Sequence, residues 1–229
     1  MSPQLPLHLA IRPLSICDAE QVHQLENKGF SPEEACSREG INYRLLACPE
    51  LCSGIFIRTF TPKYSQFDND LEKDVDTTVN QNFNNKPIRN VDLDYLPDDK
   101  SSTTSERLIG HILSTKIHGD FISEASMKVP ENDNDLINGH QESSITIGLH
   151  SLVIDPEFRG KHLGILLLHD YVQKLSNQRV ARYLTLLCKK KLIPFYSKLG
   201  FADLGQGDCR YAGIEWNNMR LILEPEQDY

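Results

Sequence analysis

The chain has 229 residues, 39% hydrophobic and 24% charged, with 24 basic and 32 acidic side chains for a formal net charge of −8. That length allows one domain with an insertion, and the apolar content is enough for a core, which excludes disorder as the overall class. The acidic balance argues against a dedicated nucleic-acid binder, which needs a basic face to displace counterions, while it suits a cationic ligand. No stretch approaches the ~18 consecutive apolar residues of a membrane span. Met1 to Pro6 lacks the basic start and apolar run of a secretion signal. A cytoplasmic monomer without membrane contact is therefore expected, its six scattered cysteines reduced and no metal bound.

In chain order, His8 to Pro13 reads as a first strand, and Cys17-Asp18-Ala19-Glu20 opens a helical pattern through Val22, Leu25 and Glu26 to Gly29. Ser31-Pro32-Glu33-Glu34 has the form of a helix start, an N-cap Ser with Pro at the first helical position, for a helix to about Ala47. Gly54–Phe60 and Leu108–Thr115 are β-rich. Between them, residues 62–105 hold nine acidic and five basic residues and six Asn. Such a composition does not offset the entropy of ordering, so the segment reads as a flexible surface insertion in a hairpin-like connection. Pro130 to Ser144 is a second loose stretch. Further on come a strand at Tyr183–Cys188, a short helix over Leu192–Leu199 and a last strand at Met219–Leu223. The expected order is β-α-α-β-β-β-α-β-α-β-β, an α/β arrangement with a mixed sheet.

Two features of the second half carry chemistry. Ile145, Ile147 and Leu149 alternate as one face of a strand, and the apolar phase then jumps to Leu152 and Ile154. A residue inserted near His150-Ser151, as in a β-bulge, produces such a jump. Next, Arg159-Gly160-Lys161-His162-Leu163-Gly164 leads into an apolar helix. A helix N-terminus presents unpartnered N–H groups and about half a positive charge, and two basic side chains beside it suit a pyrophosphate.

These segments resemble a known family. Arg159-x-x-His162-x-Gly164 is similar to the acetyl-CoA signature of the GNAT acyltransferases. Gly148-Leu149-His150-Ser151-Leu152-Val153-Ile154, Leu192 to Phe201 and Cys48-Pro49-Glu50-Leu51 resemble the arylalkylamine (serotonin) N-acetyltransferase branch, and the nearest resemblance is to its yeast members, which acetylate polyamines. The resemblance implies a GNAT fold: a mixed central β-sheet, flanked by helices and splayed at a β-bulge. Acetyl-CoA would lie in the gap along Leu152, Val153 and Ile154, its pyrophosphate on the amides of Arg159, Gly160, Lys161, His162, Leu163 and Gly164. Two departures stand out: His162 replaces the first Gly of the signature, and Gly148 replaces the first of two histidines.

The chemistry implied is direct transfer of acetyl to the primary amine of a small molecule in a ternary complex, with no metal. An amine with a pKa near ~10.4 is protonated at pH 7, so a base titrating near neutrality is needed. By resemblance His150 is that base, helped by Glu26 or His111. The backbone N–H of Leu152 would receive the developing oxyanion, and Tyr196 would protonate the leaving thiolate. Glu26, Phe30, Pro49, Phe56 and His150 would line the acceptor groove. The acidic balance favours polyamines (spermine, spermidine, putrescine), with overlap onto arylalkylamines such as serotonin. The alternatives are an acetyl-CoA-binding module without catalysis and a protein-lysine acetyltransferase. Cys188, with no paired His or acid, reads as core rather than as a nucleophile.

Overall fold

In the computed structural model, which describes residues 5–60, 103–132, 135 and 137–223, seven strands share one sheet. They are β1 (Leu9–Pro13), β2 (Ser53–Phe60), β3 (Thr103–Lys116), β4 (Thr146–Ile154), β5 (Tyr183–Cys188), β6 (Ala202–Gln206) and β7 (Asn217–Ile222), in spatial order β1-β2-β3-β4-β5-β7-β6. All neighbours are antiparallel except β4 and β5. A parallel pair needs a crossover, which is supplied by the helix α4 (Leu163–Gln178).

The sheet buries both faces. Successive side chains of a strand point to opposite sides, and adjacent Ile55 and Phe56 accordingly fall in different clusters. Ile55 packs with Leu163, Leu167, Tyr171 and Leu175 of α4, while Phe56 packs with α1 (Ala19–Gly29) and α2 (Arg38–Ala47). The expected phase jump is present in β4: Ile147, Leu149, Leu152 and Ile154 share the α4 cluster, and Val153 belongs to the other. α1 ends against β4, where a Cβ on Gly29 would sit 2.6 Å from a Val153 methyl, so only glycine permits that approach.

The first half corrects one expectation. The helix expected from Ser31 begins at Arg38, capped by the Ser37 side chain, which accepts from the Gly40 N–H at 3.1 Å. Ser31 does bond Glu34, and Ala35 N–H reaches Ser31 O, but the turn stops there. The Cys36 N–H goes to the Glu26 carboxylate at 2.8 Å instead of to a helical carbonyl. Of the expected insertion at 62–105, residues 62–102 lie outside the described residues, whereas 103–105 belong to β3, with Thr103 paired to Phe60. The stretch at 130–144 forms no helix or strand among its described residues. A short helix, α3 (Glu124–Met127), precedes it, and α5 (Ile193–Ser197) lies inside the expected 192–199.

Candidate active site

The pairing of β3 with β4 changes register between Leu113↔Ser151 and Ser114↔Leu149, which leaves His150 as the extra residue of a bulge. Beyond it, Asp155 N–H bonds Ile109 O at 2.8 Å. Because N–H direction alternates along a strand, Ser151 and Val153 spend their N–H groups on β3, and Leu152 and Ile154 point theirs toward β5. There they find no strand, since β4–β5 pairing ends at Leu149↔Leu186. The two strands part beyond that rung, and a cavity of about 800 Å³ fills the opening.

Its walls are β4 from Leu149 to Ile154, the ends of β5 and α5, and the turn from Phe158 to the start of α4. Gly160 and His162 adopt left-handed conformations (φ 78° and 59°), which aim the turn into α4. The first intrahelical bond runs from Leu166 N–H to His162 O, and no acidic residue occupies the first turn, so the preceding N–H groups offer an uncontested anion seat. The His162 side chain is exposed, and no Cβ contact stands within 4 Å of Gly160. Histidine in the left-handed region costs about 1–2 kcal/mol relative to glycine. His162→Gly is therefore expected to raise unfolding stability by about 1 kcal/mol, read from denaturant melts, without weakening binding of an anionic cofactor.

A second cavity of about 360 Å³ opens on the other side of β4, lined by Glu26, Cys36, Arg44, Met127, His150 and Ser151 among others. Both cavities are walled by Glu34, Met127, His150, Ser151 and Tyr211, so they meet at the bulge. His150 Nδ1 lies 2.9 Å from Met127 Sδ, and its Nε2 lies 2.7 Å from Thr115 Oγ1. A thioether only accepts, so Nδ1 carries the proton and Nε2 takes the Thr115 hydroxyl hydrogen. Burial, followed by the nearby charge of Arg44, holds the imidazole well below its ordinary 6.5. The ring is thus neutral at physiological pH. The position two residues earlier is closed to a second histidine: a Cβ on Gly148 would meet Ile117 at 2.8 Å.

Behind Ser151 lies a buried acid–imidazole pair. Glu26 accepts from His111 Nε2 at 2.7 Å and from Cys36 N–H, with Ser151 Oγ 3.3 Å from the same ring nitrogen. Burial opposes the charge on Glu26, but the bonds from His111, Ser151 and Cys36 outweigh it and leave the carboxyl below its usual range. Across the larger cavity, Tyr196 packs edge-on against Phe195 and Phe201, and burial raises its phenol well above 10. Cys188 is likewise pushed up to about 11 by burial, which leaves a thiol where a nucleophile would need a thiolate.

The structure thus brings His150, Leu152, Val153, Ile154, Arg159, Gly160, His162, Leu163, Gly164 and Tyr196 to one cavity, with Phe30 at its wall. Lys161 lies in the same turn, its ammonium 5.5 Å from the Phe158 ring. Glu26 stands in the smaller cavity. Pro49 and Phe56 line neither. Pro49 opens the turn between α2 and β2, and Phe56 is fully buried, with the Arg12 guanidinium 3.9 Å over its ring. Sequence reasoning missed Thr115, Met127, Arg44 and Tyr211, which reach the site from elements remote in the chain and match no motif. No group of three metal-ligating side chains occurs among the described residues, and no helix there is long and apolar enough to cross a membrane.

Comparison with known proteins bears on the family and the fold. The profile of the acetyltransferase (GNAT) domain matches residues 98–223, more than half of the chain. The serotonin N-acetyltransferase of Mesocricetus auratus is 36% identical over 66 residues, 29% of this chain and 32% of that protein. The Macaca mulatta enzyme is 32% identical over 37% of this chain and 42% of its own. The matched stretches therefore span about a third to two fifths of these curated relatives. Among solved structures, the loading GNATL domain of CurA from Lyngbya majuscula superposes with a TM-score of 0.59 at 14% identity, covering 94% of this chain and 98% of that one. That likeness is one of fold: a mixed α/β sheet, open rather than closed, flanked by helices.

Proposed function

This chain belongs to the GNAT acetyltransferase family, and from that premise we propose that it transfers acetyl from acetyl-CoA to the primary amine of a small molecule. Polyamines are the favoured acceptors, with overlap onto arylalkylamines such as serotonin. The observation that carries this reading is the meeting of two cavities at His150, one with an anion seat for the cofactor and one with a buried carboxylate at the acceptor side.

The residues present fit acetyl-CoA, which supplies an activated acetyl group when bound. The amides at the start of α4, with Arg159 and Lys161 beside them, hold the pyrophosphate. The parted edge of β4 offers Leu152 and Ile154 N–H groups to the rest of the molecule. Leu152 N–H is the donor for the carbonyl oxygen as it gains negative charge, a role worth about 3 kcal/mol in comparable sites. His150 takes the proton from the attacking nitrogen as the N–C bond forms. Tyr196, which burial keeps protonated, gives a proton to the sulfur as the C–S bond breaks. Glu26 shapes the acceptor side, Phe30 lines the larger cavity, and two bound reactants need no covalent enzyme intermediate.

Free-CoA release with acetyl-CoA and spermine, putrescine or serotonin tests the reading. Turnover with at least one amine is expected, with spermine highest. Tight acetyl-CoA binding without turnover on any amine would make the chain a binding module, and a lysine peptide outcompeting all three would make it a protein acetyltransferase.

A further inference from the structure

Arg44 has no place in the chemistry above, yet it is 3% exposed and stands in the wall of the smaller cavity. Its Nη1 points at Cys36 Sγ at 2.8 Å, its Nη2 donates to the Met127 carbonyl at 3.0 Å, and its Nε has no partner among the described residues. Neither partner neutralises it: a carbonyl carries no formal charge, and burial pushes the Cys36 thiol up to about 11. A guanidinium buried without a bonded carboxylate is costly, and a site that keeps one uses it.

Its second contact leads to the base. Met127 ends α3, a helix of one turn. The residue whose carbonyl Arg44 holds is the one whose sulfur meets His150 Nδ1. We propose that Arg44 is a positioning residue for His150: it clamps α3 so that the Met127 thioether fixes the Nδ1–H form of the ring. From the wall of the same cavity its charge also opposes protonation of that ring. The unprotonated nitrogen is then Nε2, which accepts from the Thr115 hydroxyl and takes a substrate proton once that hydroxyl turns away. Nδ1–H to sulfur is a weak bond and would not select the tautomer if α3 were free to shift.

Other charged and titratable groups face this space. Glu26 comes from α1, and it is engaged by His111 of β3. Cys36 and Glu34 come from the α1–α2 connection, Glu34 being paired with Lys189 at 2.6 Å. Glu39 lies on α2, Lys128 follows α3, and Tyr211 precedes β7. Glu26 and Glu34 are thus committed to His111 and Lys189, and the Arg44 charge is left to act on the imidazole.

The kinetic half of the test rests on the proposed acetyl transfer; the spectroscopic half does not. Imidazole 15N shifts of the full chain, followed from pH 5 to 8, are expected to show Nδ1–H for His150 in the wild type. In Arg44→Met the His150 titration moves to higher pH, and kcat/KM falls about tenfold at pH 6 but less than about twofold at pH 9. Arg44→Lys keeps the charge and leaves the titration near wild type. Met127→Leu keeps the charge but loses the sulfur, so the tautomer shifts become mixed. A folded Arg44→Met with unaltered His150 titration overturns the proposal. If Arg44→Met does not fold, an Arg44→Lys variant in which His150 titrates at the ordinary 6.5, or a Met127→Leu variant still purely Nδ1–H, overturns it equally. Absence of turnover in every form would refute the acetyl-transfer reading while the 15N data still decide the role of Arg44.

Discussion

His150→Ala is expected to lower kcat/KM for amine acetylation by about 10²- to 10⁴-fold at pH 7, with a loss that shrinks toward pH 10. The amine is the reason for the pH dependence. With a pKa near ~10.4 it is almost wholly protonated at neutrality and needs a base, whereas near its own pKa it supplies its own neutral form. His150 is available for this because burial and Arg44 keep it uncharged. An equal loss at every pH would assign the residue to packing or substrate contact. Stability gives an independent readout. The folded value lies below the ordinary 6.5, so as pH falls through 6.5 the unfolded chain binds the proton first. The stability that the neutral ring allows is present above 6.5 and declines below it. In His150→Ala that part of the acid-side decline disappears.

How much of this was legible in the sequence depends on what each feature needs. The bulge was legible because apolar spacing is a direct record of strand phase: Ile147 and Leu149 on one side of His150, Leu152 and Ile154 on the other, all end in one cluster. The turn before α4 was legible because glycine and basic residues stand between a strand pattern and an apolar helical run, and the structure adds that His162 tolerates a left-handed backbone. The acceptor side was not legible. Ser31-Pro32-Glu33-Glu34 satisfies local capping rules, but Glu26 diverts the Cys36 N–H, a contact no local rule contains. The resemblance implies a groove position for Phe56, but one step of strand alternation sends it into the α1–α2 core. Thr115, Met127 and Arg44 converge on His150 across sequence separations that single-residue patterns do not encode.

The proton that leaves with the product is the second test. Tyr196→Phe is expected to reduce the single-turnover rate of acetyl transfer about 10²-fold, with the acetyl-CoA dissociation constant nearly unchanged. The substitution removes one oxygen and keeps the ring, whose edge-on contacts with Phe195 at 5.0 Å and Phe201 at 5.7 Å hold α5 against the core. Burial, and after it the nearby Cys188, raises the phenol, so Tyr196 stays protonated from the pH at which His150 becomes neutral to well above pH 10. Base and acid are therefore both in their working states over one broad interval of pH. This separation arises from environment alone, since burial favours the uncharged form of each. Single-turnover measurement is needed because slow product release would conceal the loss in kcat. A large rise in the acetyl-CoA dissociation constant with an unchanged chemical rate would make Tyr196 a binding residue and leave the departing sulfur to be protonated by solvent.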